Sequence, residues 1–182
     1  MNKTEQEAES AKPGQTGSPE QQTLTLQEAL DLGLQHHKAD DFSKAKDIYQ
    51  QILKIDPSHP ETLHLLGVVS HQIGENERAV DLITKALTIR PDFAKGHNSL
   101  GNVLKELGQL NKACEHYHNA IDIKPDYAEA HSNLGLVLHE LRRLDDALVH
   151  YHKALTINPE FPEAHTNLGL TFHELGRLDD AV

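Results

Sequence analysis

A glycine recurs at Gly33, Gly67, Gly101, Gly135 and Gly169, each 34 residues after the last. A leucine precedes every one of them, at Leu32, Leu66, Leu100, Leu134 and Leu168. Twelve residues after each glycine stands an alanine: Ala45, Ala79, Ala113, Ala147 and Ala181. Prolines keep the same interval at Pro57, Pro91, Pro125 and Pro159. A fixed period of this length marks a stack of supersecondary units, because no one unit can bury its own apolar face. With the glycine at repeat position 8, the units run 26–59, 60–93, 94–127 and 128–161, with a partial unit at 162–182.

Each unit reads as two helices. In the third, Leu100, Val103, Leu104 and Leu107 fall at i, i+3, i+4 and i+7, one helical face. Ala113, Tyr117, Ala120 and Ile121 form a second such face, and Gly108 between them suits a turn that needs no Cβ. Thr25-x-x-Glu28, Ser58-x-x-Glu61 and Asp126-x-x-Glu129 read as N-terminal caps with a glutamate three residues on. The prolines close the second helices. The small residues at positions 8 and 20 let the two helices cross closely. Position 24, with Tyr49, Ile83, Tyr117 and Tyr151, fills the space beside that crossing.

This pattern resembles the tetratricopeptide repeat family over residues 26–182. Three units carry histidine where the family often has an aromatic at position 4 (His97, His131 and His165), and the first has Ala29. Ile52 replaces the alanine of the other units at position 27 (Ala86, Ala120, Ala154), as suits a terminal unit. The resemblance implies an all-α, right-handed α-solenoid. It further implies a concave groove lined by first helices through positions 2, 5, 6, 9, 12 and 13. On those positions the candidate peptide-binding residues are Asn98, Ser99, Asn102, Lys105, Asn133, His139, Asn167 and His173. An asparagine row such as Asn133 and Asn167 can hold a peptide backbone, because one planar amide offers an acceptor and two donors. The segments Ala130–Gly135 and Ala164–Gly169 are similar to repeats that precede the O-GlcNAc transferase catalytic domain. The alternative function is therefore the recognition arm of a larger glycosyltransferase or sulfotransferase, with its catalytic domain beyond Val182. Some family members grip a chaperone's C-terminal carboxylate with basic residues at positions 2 and 6. This chain has Glu129 and Asn133, or Glu163 and Asn167, there.

The remaining composition narrows the functions. A formal net charge of −11 disfavours a phosphate-backbone binder and an anionic membrane surface. No run of about 18 apolar residues occurs. The polar residues 1–23, with Pro13, Gly14, Gly17 and Pro19, read as a disordered tail. Val182 falls in mid-helix, so the array is expected to continue. A single cysteine, Cys114, permits no disulfide within the chain and reads as a structural residue. The N-terminus lacks a signal-peptide pattern, which leaves the cytoplasm as the expected compartment.

Of the 14 histidines, no two are spaced i, i+3 or i, i+4 as metal-binding helices require. The row at position 12, His37, His71, His139 and His173, would stand on helices ~8–10 Å apart. No metal, cofactor, nucleic acid or small-molecule substrate is therefore expected, and no catalytic motif is present. The acid pairs Asp145/Asp146 and Asp179/Asp180 read as charges favoured at the start of second helices. The expected partner is a protein or an extended peptide.

Overall fold

The computed structural model describes residues 24–176. The expectations for the tail at 1–23, for Asp179/Asp180 and for the ending at Val182 lie outside them. The described residues form the α-helices α1 (Leu26–Lys38), α2 (Phe42–Ile55), α3 (Pro60–Gln72), α4 (Asn76–Ile89), α5 (Ala94–Glu106), α6 (Leu110–Ile123), α7 (Ala128–Glu140), α8 (Leu144–Ile157) and α9 (Pro162–Glu174). Each helix packs on its neighbours in the chain. The odd-numbered helices also touch one another in sequence, α3 on α5, α5 on α7 and α7 on α9. The result is an all-α solenoid whose first helices line one continuous face. Among the described residues no helix is long and apolar enough to cross a membrane.

The close crossing within each of the first four units rests on glycine. A Cβ added at Gly101 would stand 2.6 Å from Tyr117 Cε1, and one at Gly135 would stand 2.7 Å from Tyr151 Cε1. Ala113, Tyr117, Ala147 and Tyr151 are all 0% exposed. They belong to a core that runs through units two to four with Ile83, Leu100, Val103, Leu134 and Val137. A second core joins units one and two through Leu30, Tyr49, Ile52, Leu66 and Val69.

The turn inside each unit places one residue at positive φ. Gly74 and Gly108 take this conformation freely, whereas Asp40 (φ 56°) and Arg142 (φ 62°) hold it with a side chain. Second helices end just short of each proline: α4 stops at Ile89, with Arg90 as C-cap and Pro91 beyond.

The caps divide. Thr25 and Glu28 form a reciprocal capping box at the start of α1. Ser58 does not cap α3. Its N–H and hydroxyl are both held by the Asp56 carboxylate, and His59 is the cap, its Nδ1 accepting from the Thr62 N–H at 3.2 Å. Asp126 does not cap α7 either. Tyr127 holds that place without a side-chain cap bond, as Phe93 does for α5 and Phe161 for α9. In the case of α5 a packed ring occupies the position: Phe93 lies 3.7 Å below the Arg90 guanidinium and 4.8 Å from the His64 ring.

Candidate functional site: the face of the first helices

Adjacent units are tied across the face of the first helices by side chains 35 residues apart. One such tie joins position 5 of a unit to position 6 of the next. His64 meets Ser99 Oγ at 2.9 Å, and Asn133 Nδ2 donates to Asn98 Oδ1 at 3.0 Å. A second tie joins position 12 to position 13. His37 Nε2 meets Gln72 Oε1 at 2.6 Å, and His71 Nε2 lies 3.5 Å from Glu106. His139 Nε2 lies 3.4 Å from Glu174 Oε1, within ion-pair range on protonation but not aligned as a hydrogen bond. Arg142 also pairs with Glu174. The separation of 35 is one period plus one residue, the offset at which neighbouring first helices face each other.

These ties change the roles of several candidate residues. Ser99 and Asn98 serve chiefly as bridges, Asn98 being only 8% exposed. Asn102 accepts a 2.7 Å hydrogen bond from the Tyr117 hydroxyl, so part of its amide is committed to the core. Asn133 gives one N–H to Asn98 and keeps its carbonyl and second N–H for other partners. His139 is an inter-unit contact before it is a groove wall. Lys105 is half-buried on α5, and His173 is exposed near the end of α9.

Four of the candidates do come together. Asn98, Asn102, Asn133 and Asn167 line a concavity of about 380 Å³ with Ser132, Leu136 and Phe161, edged by Glu129 and Glu163. Lys105, His139 and His173 are not part of it, nor is Ser99, which lines a smaller hollow of about 50 Å³ with His71 and Asn102. A larger apolar hollow of about 540 Å³ lies between α1 and α2, lined by Leu24, Leu26, Leu32, Ile48 and Ile55. It holds no convergent charged groups, and it sits in the first unit, away from the amide row.

His64 is the most perturbed of the groups on this face. Burial, with the positive charges of Arg90 and Lys95 nearby, brings its pKa down to about 4. It is therefore a neutral hydrogen-bonding group at ordinary pH. Cys114 is half-buried against the core, and burial pushes the pKa of its thiol up, which favours the neutral form.

A second group of residues escaped the spacing rules. His97 Nδ1 lies 3.0 Å from His116 Nδ1, and His131 Nδ1 lies 3.1 Å from His150 Nδ1. These partners are 19 residues apart, on the first and second helices of one unit. A search confined to one helix, or to one repeat position, cannot find them. The signal that could have done so is the recurrence of His at both position 4 and position 23 in the same two units.

Five family models of this repeat match the chain. They are described as TPR repeat over 101–142 and as tetratricopeptide repeat over 128–161, over 82–115 and 150–182, over 62–95 and over 29–59. The chain belongs to the tetratricopeptide repeat family. Solved structures agree. A MamA crystal structure is 30% identical, with 83% of this chain and 88% of that chain covered and a TM-score of 0.74. Another MamA protein structure is 29% identical, with 86% and 85% covered and a TM-score of 0.73. TTC0263, a thermophilic TPR protein of Thermus thermophilus, is 25% identical, with 86% of each chain covered and a TM-score of 0.73. No curated protein matches. The repeat family and these neighbours support a protein-interaction scaffold, and nothing in these matches ties the repeats to the O-GlcNAc transferase arm.

Proposed function

We propose that this chain holds an extended segment of a partner protein against α5, α7 and α9. The observation that carries the reading is the row Asn98, Asn102, Asn133 and Asn167 along one concavity, with apolar Leu136 and Phe161 beside it. Amides suit the C=O and N–H of an extended chain. Asn133, with its carbonyl and one N–H still open, and Asn167 are the groups left to meet it. Glu129 and Glu163 at the edges make the site hospitable to a segment without acidic residues, consistent with the net charge of −11. The chain acts here as a scaffold and not as a catalyst, in a cytoplasmic setting.

The test begins with a random-peptide display selection on the full chain. The best peptide is then measured against the parent and against Asn133→Ala/Asn167→Ala. Two neutral hydrogen bonds at ~0.5–1.5 kcal/mol each correspond to a loss of roughly ten-fold or somewhat more. Equal affinity for parent and variant would mean that the amide row is not the binding surface.

A further inference from the structure

We propose that the histidine pairs His97/His116 and His131/His150 are a repeat-encoded chelating site for a divalent transition metal of the imidazole-preferring kind, Cu²⁺, Ni²⁺ or Zn²⁺. The site is separate from the groove. It stands where the first and second helices of one unit meet, and the peptide reading does not use it.

The sequence substitution is concerted. Units one and two carry Ala29 and Leu63 at position 4, and Ile48 and Leu82 at position 23. Units three and four carry histidine at both positions, and nowhere else in the complete units does either position hold one. Two positions that are both apolar in units one and two are thus both histidine in units three and four.

The geometry repeats as closely as the sequence. Ring centroids are 5.3 and 5.4 Å apart, with interplanar angles of 29° and 28°. In both pairs the far nitrogen of the first-helix histidine is anchored. His97 Nε2 donates to the Pro91 carbonyl and His131 Nε2 to the Pro125 carbonyl, each at 3.1 Å. A backbone carbonyl on one ring nitrogen places the proton there and leaves the other nitrogen with its lone pair, the arrangement that orients metal-bound histidines. Each Nδ1 lone pair is therefore directed at a second imidazole nitrogen.

The bite fits. Two nitrogens at ~2.0–2.1 Å from one ion stand about 2.9 Å apart at a right angle and about 3.4 Å apart at the tetrahedral angle. The observed separations of 3.0 and 3.1 Å fall between these values. A small tilt of the rings turns the shared lone-pair axis into a chelate. Oxygen-seeking Mg²⁺ and Ca²⁺ have no claim on two imidazoles.

The two sites are unequal. His118, exposed on α6, stands with its ring centroid 5.9 Å from that of His150. The equivalent position one unit earlier is Thr84. Among the described residues no three His, Cys, Asp or Glu side chains converge as they stand. The site is thus a two-imidazole chelate completed by water, and His118 can turn in as a third donor only at His131/His150.

Calorimetric titration of the full chain with Cu²⁺, Ni²⁺ and Zn²⁺ in turn tests this. Two sites are expected, the tighter having a dissociation constant on the order of micromolar, with no response to Mg²⁺. His116→Leu/His150→Leu places at position 23 the kind of residue that Ile48 and Leu82 already provide, so the fold should survive, as circular dichroism would verify. That variant should weaken both sites by roughly 30-fold or more, while His71→Gln/His139→Gln keeps them. His118→Ala should weaken one site and spare the other, and Cu²⁺ bound to the parent should show coupling to two or more nitrogens by electron paramagnetic resonance. Absence of binding, or binding that survives the double leucine variant, would reduce the pairs to N–H···N contacts that merely replace an apolar one.

Discussion

The Tyr117 hydroxyl donates a 2.7 Å hydrogen bond to Asn102, whereas the Tyr151 hydroxyl, one unit on, is buried and has no partner among the described residues. The difference lies at position 9, which is Asn102 in the third unit and Leu136 in the fourth. Tyr49 is orphaned in the same way, with Leu34 at position 9 of its unit. Burial raises the pKa of all three phenols, so each keeps its proton and remains a donor.

Removing these hydroxyls should therefore have opposite effects. Tyr117→Phe loses a made bond and strands the Asn102 carbonyl, at a cost of about 1 kcal/mol and ~2–4 °C in Tm for a chain of this size. Tyr151→Phe removes an uncompensated desolvation and should leave Tm unchanged or raise it. Thermal melts of the two variants side by side decide it, and equal losses would mean that the two hydroxyls are equally well satisfied.

Glycine at position 8 gives a second prediction, in which two effects compete. Alanine in a helix interior is normally better than glycine by ~0.8–1.0 kcal/mol. At Gly101 the new methyl would meet Tyr117 ring atoms at 2.6 and 2.8 Å. The ring is fully buried, so overpacking is expected to win at about 1–3 kcal/mol. Gly101→Ala should lower the urea midpoint; a raised midpoint would show that the ring can shift.

The 34-residue period is enough to make the fold legible. Glycine, alanine and tyrosine at fixed positions carry the helix crossing, and that crossing is local to one unit. The site was only partly legible. Asn133 could be placed on the face of the first helices, but its bond to Asn98 depends on how far one first helix is offset from the next, which no single unit encodes. The histidine pairs were missed for a related reason: their spacing of 19 spans a hairpin, and helical spacing rules stop at one helix. Ser58 and Asp126 failed as caps because Asp56 claims the serine and an aromatic residue takes the cap position of α7.

His64 supplies a pH dependence of definite sign. Its folded-state pKa of about 4 lies below the ordinary value of 6.5, because burial favours the neutral ring. Stability from this group is therefore complete above pH 6.5 and is lost as pH falls toward 4. The loss amounts to on the order of 2 kcal/mol by about pH 5. Replacing it by His64→Asn, which keeps a hydrogen-bonding amide beside Ser99, should flatten the fall in unfolding free energy between about pH 7 and pH 5 by that amount. An unchanged slope would show that His64 is solvated in the folded state.

A partner chain received on the face of the first helices would shield the backbone there from exchange. Hydrogen exchange, followed by mass spectrometry on the full chain with and without the selected peptide, reads this out segment by segment. New protection should be concentrated in 94–106, 128–140 and 162–174, with 110–123 and 144–157 unchanged. Protection confined to those second helices, or spread evenly over all units, would contradict it.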